Sequence, residues 1–492
     1  MFLNSIATAF AAAVIYLIGQ TIYNVFFHPL AKFPGPRLAP VSKLWLWYKE
    51  IEGDMIEFMI EQHRIHGPIV RIAPEELSFF DIDGYLGDVY ANSTKFTKAQ
   101  YFYARGAKTL NLFRETDRSV HASEKRLISH SFSRKNLLGM QDMINANTQR
   151  WIDRLRSHTQ AGAWIALWDA TRCLTLDAMS TFAYGSPEGG LDEPDFKHKA
   201  LEVFDAIPVI VPSRQLLPLV PTIFEIMAMF SSNPVQNRIN NGAVHGMDRL
   251  LKQKRSGEET DGLVMFESMM QRAEKNNTSL DYDRMVSNGG IMLFAGTETT
   301  ALALSTAIFH LTKQPDLWLE LDRQLRASLP EGCTDEYLDI TAVEKVPLLD
   351  ATAKEALRVA CPIPGRLPRV VPEGGWQLKG QMIPAGTIVT SAQVFYCYDP
   401  TVFPEPKKFD VNRWLNADAA TLSSMNRNLV VFSAGTRSCI GQNLAHIELW
   451  LGIAKVVLNF RPGEAEDKEL TFHSHSGIGG PDSSIRVKLR ES

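Results

Sequence analysis

The sequence predicts a mainly α-helical fold with a small β-sheet region, built as a single large domain behind an N-terminal transmembrane helix. Three observations lead there. Met1 to Ala31 contains no Lys, Arg, Asp or Glu, and residues 6–27 are largely Ala, Ile, Val, Leu, Phe and Tyr. Beyond about Trp45, long stretches of helical character outnumber a few short strand-like runs. No repeat of about 20–50 residues and no low-complexity segment divides the rest of the chain.

Composition narrows the function classes. Hydrophobic residues make up 45% of the 492 and charged residues 22%, which supports a large core and argues against disorder. The net charge of -4 comes without any clustered Lys/Arg face, so nucleic-acid binding is excluded. The five cysteines (Cys173, Cys333, Cys361, Cys397 and Cys439) are odd in number and far apart. They do not form a secreted disulfide framework and fit a reducing compartment. Four read as buried small hydrophobes, and Cys439 stands out by its surroundings.

Along the chain, residues 1–30 form the expected membrane anchor. A helix of about 20 apolar residues crosses a hydrocarbon core of about 30 Å, and Tyr16, Tyr23, Phe26 and Phe27 suit its interface. A cleaved signal peptide would begin with a basic stretch, which is missing here. Lys32, Arg37 and Lys43 follow the anchor and place the body on the cytosolic side. The sequons at Asn92, Asn276 and Asn277 should then carry no glycan. Residues 31–44 form a Pro-rich hinge, because Phe33-Pro34-Gly35-Pro36-Arg37 cannot continue a helix. The body is expected over 45–492.

Within it, helices are predicted at 135–157, 169–184, 236–255, 282–313, 317–328 and 348–359. Strands are predicted at 69–72, 377–383 and 387–392, the last after the Pro384-Ala385-Gly386 turn. Loops are expected at 254–262, 273–280 and 416–428.

Two segments carry chemistry. Ala295-Gly296-Thr297-Glu298-Thr299-Thr300 lies inside the apolar helix at 282–313. A mid-helix glycine costs about 1 kcal/mol relative to alanine and needs a reason. A hydroxyl at Thr299 can bond back to the carbonyl of Ala295, which bends a helix, so the segment is expected to open a groove. Glu298 sets an acid beside that alcohol, a pairing suited to proton transfer. The second segment is Phe432-Ser433-Ala434-Gly435-Thr436-Arg437-Ser438-Cys439-Ile440-Gly441, leading into a helical run. Its glycines allow a sharp bend and a close approach to a flat ligand. Cys439 falls where free backbone N–H groups and the helix dipole favour a thiolate. A lone buried cysteine at a helix start is usually structural, and the whole loop reverses that reading.

Phe432, Gly435, Arg437, Cys439 and Gly441 resemble the Phe-x-x-Gly-x-Arg-x-Cys-x-Gly signature of the cytochrome P-450 superfamily. The segment at 295–300 is similar to that family's Ala/Gly-Gly-x-Asp/Glu-Thr-Thr/Ser pattern and lies upstream in the same order. The run from Tyr23 to Pro36 resembles fungal microsomal members. The resemblance spans essentially the whole chain. It implies the cytochrome P-450 fold and a heme b (iron protoporphyrin IX) whose iron takes Cys439 as axial thiolate. It also implies Arg437 at a propionate, Phe432 shielding the sulfur, Gly441 in the loop, and Glu298 with Thr299 as proton-delivery pair.

The resemblance further implies that Glu355 and Arg358, three apart on one helix face, join Arg413 in a buried triad behind the haem. On residues alone they form a surface pair worth under about 1 kcal/mol. Asn412 stands where the family usually has glutamate. His121 and Lys125 fall at two further cofactor-binding positions. Lys125 replaces the usual arginine and loses its bidentate fork, with Arg126 as the alternative. Arg369 matches the strand arginine that meets the other propionate.

The expected activity is a monooxygenase reaction placing one oxygen atom of O2 in a lipophilic small molecule, such as a terpenoid, polyketide or alkaloid of fungal secondary metabolism. Only about 50 residues follow Cys439, too few for a flavin domain of about 100–150. Electrons are therefore expected from a separate NADPH-cytochrome reductase on the endoplasmic reticulum membrane. Arg126, Lys407, Lys408 and Arg437 are candidate cations for docking it, or simply a solvated face. Candidate substrate contacts are Tyr101-Phe102-Tyr103, 204–211, Leu293, Phe294, Ile363 and 475–478. Two alternatives remain open: a haem-thiolate isomerase or dehydratase that needs no O2, and a non-catalytic haem carrier.

Overall fold

The computed structural model describes residues 2–216, 235–256, 264–329, 335–475 and 478–491. Cys333 and residues 476–477 of the C-terminal substrate candidates lie outside them.

Helix α1 (Phe2–Ile22) stands clear of the body, and the segment Ala7–Phe27 is long and apolar enough to cross a bilayer. A short π-helical turn, Tyr23–Phe27, follows. From here the chain is docked. Asn24, Leu30 and Phe33 are buried, and the buried Arg71 donates Nη1 to the Asn24 carbonyl at 2.9 Å and its backbone N to the Pro34 carbonyl at 2.7 Å. The Pro-rich segment is thus pinned to the first strand of the body.

The described body is mainly helical. Helices α2 (Leu44–Glu52) and α3 (Met55–His66) precede α4 (Arg118–Ile128), α5 (Arg134–Gly139), α6 (Gln141–Gln160), α7 (Leu167–Tyr184) and α8 (Lys199–Leu216). Next come α9 (Val235–Ser256), α10 (Met265–Lys275) and α11 (Tyr282–Thr312). The series ends with α12 (Pro315–Ser328), α13 (Pro347–Ala360), α14 (Ala419–Asn428) and α15 (Gln442–Asn459). Helix α11 organises the rest. Its 31 residues span about 46 Å, Asp281 caps it by accepting from Arg284 N, and it is apolar on nearly every side. Such a helix must be buried, and α7, α9, α13 and α15 pack around it.

The strands form a five-stranded sheet in the order β1 (Ile69–Ala73), β2 (Glu76–Phe79), β8 (Ile388–Thr390), β5 (Arg369–Val370), β3 (Thr97–Lys98). A three-stranded sheet joins β4 (Ile165–Ala166), β12 (Arg486–Glu491) and β9 (Phe460–Ala465). Two hairpins complete the set: β6 (Trp376–Leu378) with β7 (Gln381–Ile383), and β10 (Phe472–His475) with β11 (Ile478–Pro481).

Two expectations are corrected. The single strand at 377–383 is a hairpin, because Lys379 and Gly380 both take positive φ (48° and 76°) and reverse the chain. The loop at 416–428 contains α14, started by Asp418 accepting from Thr421 N at 2.7 Å.

Candidate active site

The cysteine loop is built from its own backbone. Ser433 N donates to Val430 O at 2.7 Å and Cys439 N to Phe432 O at 2.9 Å. Gly435 has φ 69°, and a Cβ there would lie 2.1 Å from the Tyr90 carbonyl oxygen. A close approach to the Tyr90 and Ala91 carbonyls therefore demands this glycine. Gly441 is different: a Cβ there would sit 3.9 Å from the Cys439 sulfur, in ordinary contact. Phe432 packs its ring 5.1 Å from that of His446 on α15.

Cys439 is solvent-accessible. Burial pushes its thiol up, while the N–H of Gly441, Lys125 and the N–H of Gln442 at the start of α15 pull the other way. The N–H groups at the helix start thus favour a thiolate as the sequence suggested, and burial outweighs them. A bound cation would supply the difference.

On α11, Ala295 is exposed and Gly296 and Thr299 are only half-buried, in a helix otherwise packed into the core. Thr299 Oγ1 donates to Ala295 O at 2.7 Å, the back-bond expected from the sequence. Gly296 serves another purpose than a groove: a Cβ there would meet Met179 Sδ of α7 at 2.7 Å, so the glycine lets two helices close. Glu298 is held by the neighbouring helix. Its Oε1 accepts from Arg172 Nε on α7 at 2.8 Å, so its carboxylate is turned to a cation and not bonded to Thr299. Burial raises its pKa to about 7, with Arg172 opposing.

A set of cations forms the remaining wall. Arg369 and Lys98 are cross-strand partners on β5 and β3, and both line a narrow cleft with Arg118 and Arg437. Arg369 donates to Tyr103 Oη at 2.8 Å and to the Leu367 and Pro368 carbonyls at 3.1 Å. Arg437 turns inward, with Nη1 on Glu115 O at 2.8 Å and Nη2 on Asp117 O at 3.3 Å. His121 on α4 is buried beside Arg437, Lys98 and Lys125, and burial plus these charges drive its pKa down to about 3. Burial and Arg369 bring Arg437 down to about 10, and Lys98 is pushed well below its usual value for the same reasons. Glu115 is the nearby carboxylate, and Arg284 already binds it at 2.8 Å. Cations held this close repel one another unless an anion lies among them, so the donor set suits a group bearing two carboxylates.

Lys125 stands slightly apart, its Nζ donating to Thr436 O at 2.9 Å and reaching Ser438 O at 3.5 Å. It braces the cysteine loop. Sequence reading missed Lys98, Glu115 and Arg172. A single Lys in a two-residue strand carries no local signal, and none of the three stands in a motif.

The family model for cytochrome P450 matches residues 33–489. The chain belongs to the cytochrome P450 family. Among curated relatives, this P450 is 29% identical over 482 residues to the cytochrome P450 monooxygenase aneF of Aspergillus aculeatus, covering 94% of this chain and 95% of that protein. It is 27% identical to the cytochrome P450 monooxygenase pbrB of Penicillium brasilianum (99% and 97% covered). It is 29% identical to the conidiogenone synthase PchP450 of Penicillium rubens (95% and 94% covered). The P450 is thus an oxidoreductase of the monooxygenase class, in a family that works through a haem.

Its scaffold triad is present in full. Glu355 receives two bonds of 2.9 Å from Arg358, one of 3.0 Å from Arg413 Nε and one of 2.8 Å from Trp414 Nε1. Of the substrate candidates, Tyr101 bonds Glu76 and Arg366, and Tyr103 bonds Arg369, so both brace the fold. Leu293 and Phe294 are buried. Of the docking candidates, Arg126, Lys407 and Lys408 are exposed, whereas Arg437 is held on carbonyls within.

Proposed function

We propose that this P450 is a haem-thiolate monooxygenase anchored by residues 1–30 in the endoplasmic reticulum membrane, with its body in the cytosol. It inserts one oxygen atom of O2 into a hydrophobic small molecule of fungal secondary metabolism, in the class of terpenoids, polyketides or alkaloids. Electrons come from NADPH through a separate flavoprotein reductase. The observation that carries this reading is the accessible Cys439 in a loop whose Arg437 lines a cleft with Lys98 and Arg369. The charge-free apolar segment at the N-terminus supports the anchor. The likeness to fungal monooxygenases, one of them named for a single product, supports a dedicated small-molecule substrate.

Cys439 would hold the iron of a heme b, and Lys98, Arg369, Arg437 and His121 would take its propionates. A thiolate-held haem supplies reductive activation of O2 and favours O–O cleavage. The chain's own residues do the rest. Lys125 fixes the loop that presents the sulfur. Ala295, small and exposed, leaves room beside Thr299. Thr299 can take a proton on a free oxygen lone pair as it passes on the hydroxyl hydrogen that rests on the Ala295 carbonyl. Glu298 keeps a proton near neutrality and is the donor that refills Thr299, by turning from Arg172 or through water. Such positioned proton transfer is worth about 10²–10⁴ in rate.

The test is reconstitution of the full chain with NADPH and a microsomal flavoprotein reductase, supplied with lipophilic candidates under labelled O2. The expected result is one labelled oxygen atom in a product, dependent on NADPH. Conversion of a substrate without NADPH or O2 would overturn the monooxygenase reading in favour of an isomerase or dehydratase.

A further inference from the structure

Glu298 does not have Arg172 to itself. Arg172 is 2% exposed, and its guanidinium donates Nε to Glu298 Oε1 at 2.8 Å, Nη2 to Asp205 Oδ1 at 2.7 Å and Nη2 to the Leu201 carbonyl at 3.2 Å. Asp169 lies 3.9 Å from Nη1, and the ring of Trp168 lies 5.0 Å beneath. One buried cation therefore serves three carboxylates carried by α7, α8 and α11. Against Arg172 alone the three carboxylates carry two surplus negative charges, and they are not equally placed to bear them. Asp205 (62% exposed) and Asp169 (26%) reach solvent. Glu298 is the enclosed member (11%), so it is the one that burial neutralises first.

We propose that Asp205 is a positioning residue for proton delivery: by drawing Arg172 toward α8, it weakens that cation's hold on Glu298 and leaves Glu298 free to carry a proton. The inference rests on the reading of Glu298 as the proton donor of the monooxygenase. Every charge resolved at Glu298 is accounted for. Burial raises its proton affinity most, Arg172 lowers it, and Asp205 and Asp169 raise it again. Lys197, the remaining cation of the group, acts on Asp169. Because Asp205 rides on α8, the share also depends on where that helix sits. Phe204 of α8 packs edge-on against Phe294 of α11 at 5.3 Å, and Pro208 and Pro212 each remove a hydrogen-bond donor from α8. A ligand that displaces α8 from α11 would thus return Arg172 to Glu298 and suppress proton delivery.

The experiment is infrared difference spectroscopy on the haem-loaded full chain in detergent. Wild type minus Glu298→Gln isolates the carboxylic acid band of Glu298, followed from about pH 5 to about pH 9. The expected midpoint lies near neutrality in wild type. Asp205→Asn lowers it by about half to one pH unit, because Arg172 then serves Glu298 more fully. Asp205→Glu keeps the wild-type value, and Arg172→Met moves the midpoint up. An Asp205→Asn midpoint unchanged or raised overturns the proposal, as does a Glu298 band that does not titrate in this range. Asp205 lies at the surface, so its variants test the idea even if Arg172→Met fails to fold. The band reports Glu298, and the ligand of the iron is read separately from the absorption spectrum of the same sample, so failure of the haem-thiolate reading and failure of this proposal are told apart.

Discussion

At residue 298, burial and ion pairing oppose each other, and their balance sets when the side chain holds a proton. A carboxylate with a raised pKa is protonated below that value and loses its proton above it. With Glu298 at about 7, the donor form is full in mild acid and empties as pH climbs past neutrality. Product formed per O2 consumed should therefore fall between about pH 6 and about pH 8.5, with peroxide rising in its place. In Glu298→Gln the profile should be low and flat over that range. A wild-type profile rising with pH would contradict the assignment. Single residues differ in how far sequence reveals them. The Thr299–Ala295 back-bond followed from spacing four apart, whereas the turn of Glu298 toward Arg172 depends on a helix more than a hundred positions earlier in the chain. Lys98 is likewise invisible until β3 pairs with β5 and brings it beside Arg369.

At the scale of elements, helices with strong period and clear caps were legible. The helix expected at 282–313 is α11, and that at 348–359 is α13, with Pro347 at its start. Strands were less so, because β3, β4 and β5 are two residues long and owe their form to partners distant in sequence. The triad on α13 shows the same division. Spacing alone offered a surface pair, yet Glu355 and Arg358 are both 0% exposed. Removing the shared anion leaves two guanidinium groups short of a partner in the core, a loss of about 3–5 kcal/mol. Glu355→Gln should accordingly lower the denaturation midpoint sharply and shed haem on purification. Stability within about 1 kcal/mol of wild type would show that the triad is not the brace described here.

At the scale of the whole molecule, the N-terminus joins an exposed apolar helix to a segment docked on the body. Cutting after Ile22 removes an exposed helix and should leave the body folded, releasing it from membranes. Cutting after Leu30 also strips the Asn24 carbonyl from the buried Arg71, at about 1–3 kcal/mol, and removes buried Leu30, worth about 2 kcal/mol more. A clear difference in thermal midpoint between the two truncations is expected, and equal midpoints would refute the docked segment. The body holds a sulfur that burial alone would keep protonated, and near it cations that repel one another. Both conditions would be relieved by one iron porphyrin bearing two propionates. The decisive measurement is the absorption spectrum of the reduced, carbon-monoxide-bound full-length protein. The predicted result is a Soret band at the red-shifted position of thiolate ligation, absent in Cys439→Ala. A protein that purifies without haem, or a band at the position of histidine or neutral-thiol ligation under native conditions, would contradict it.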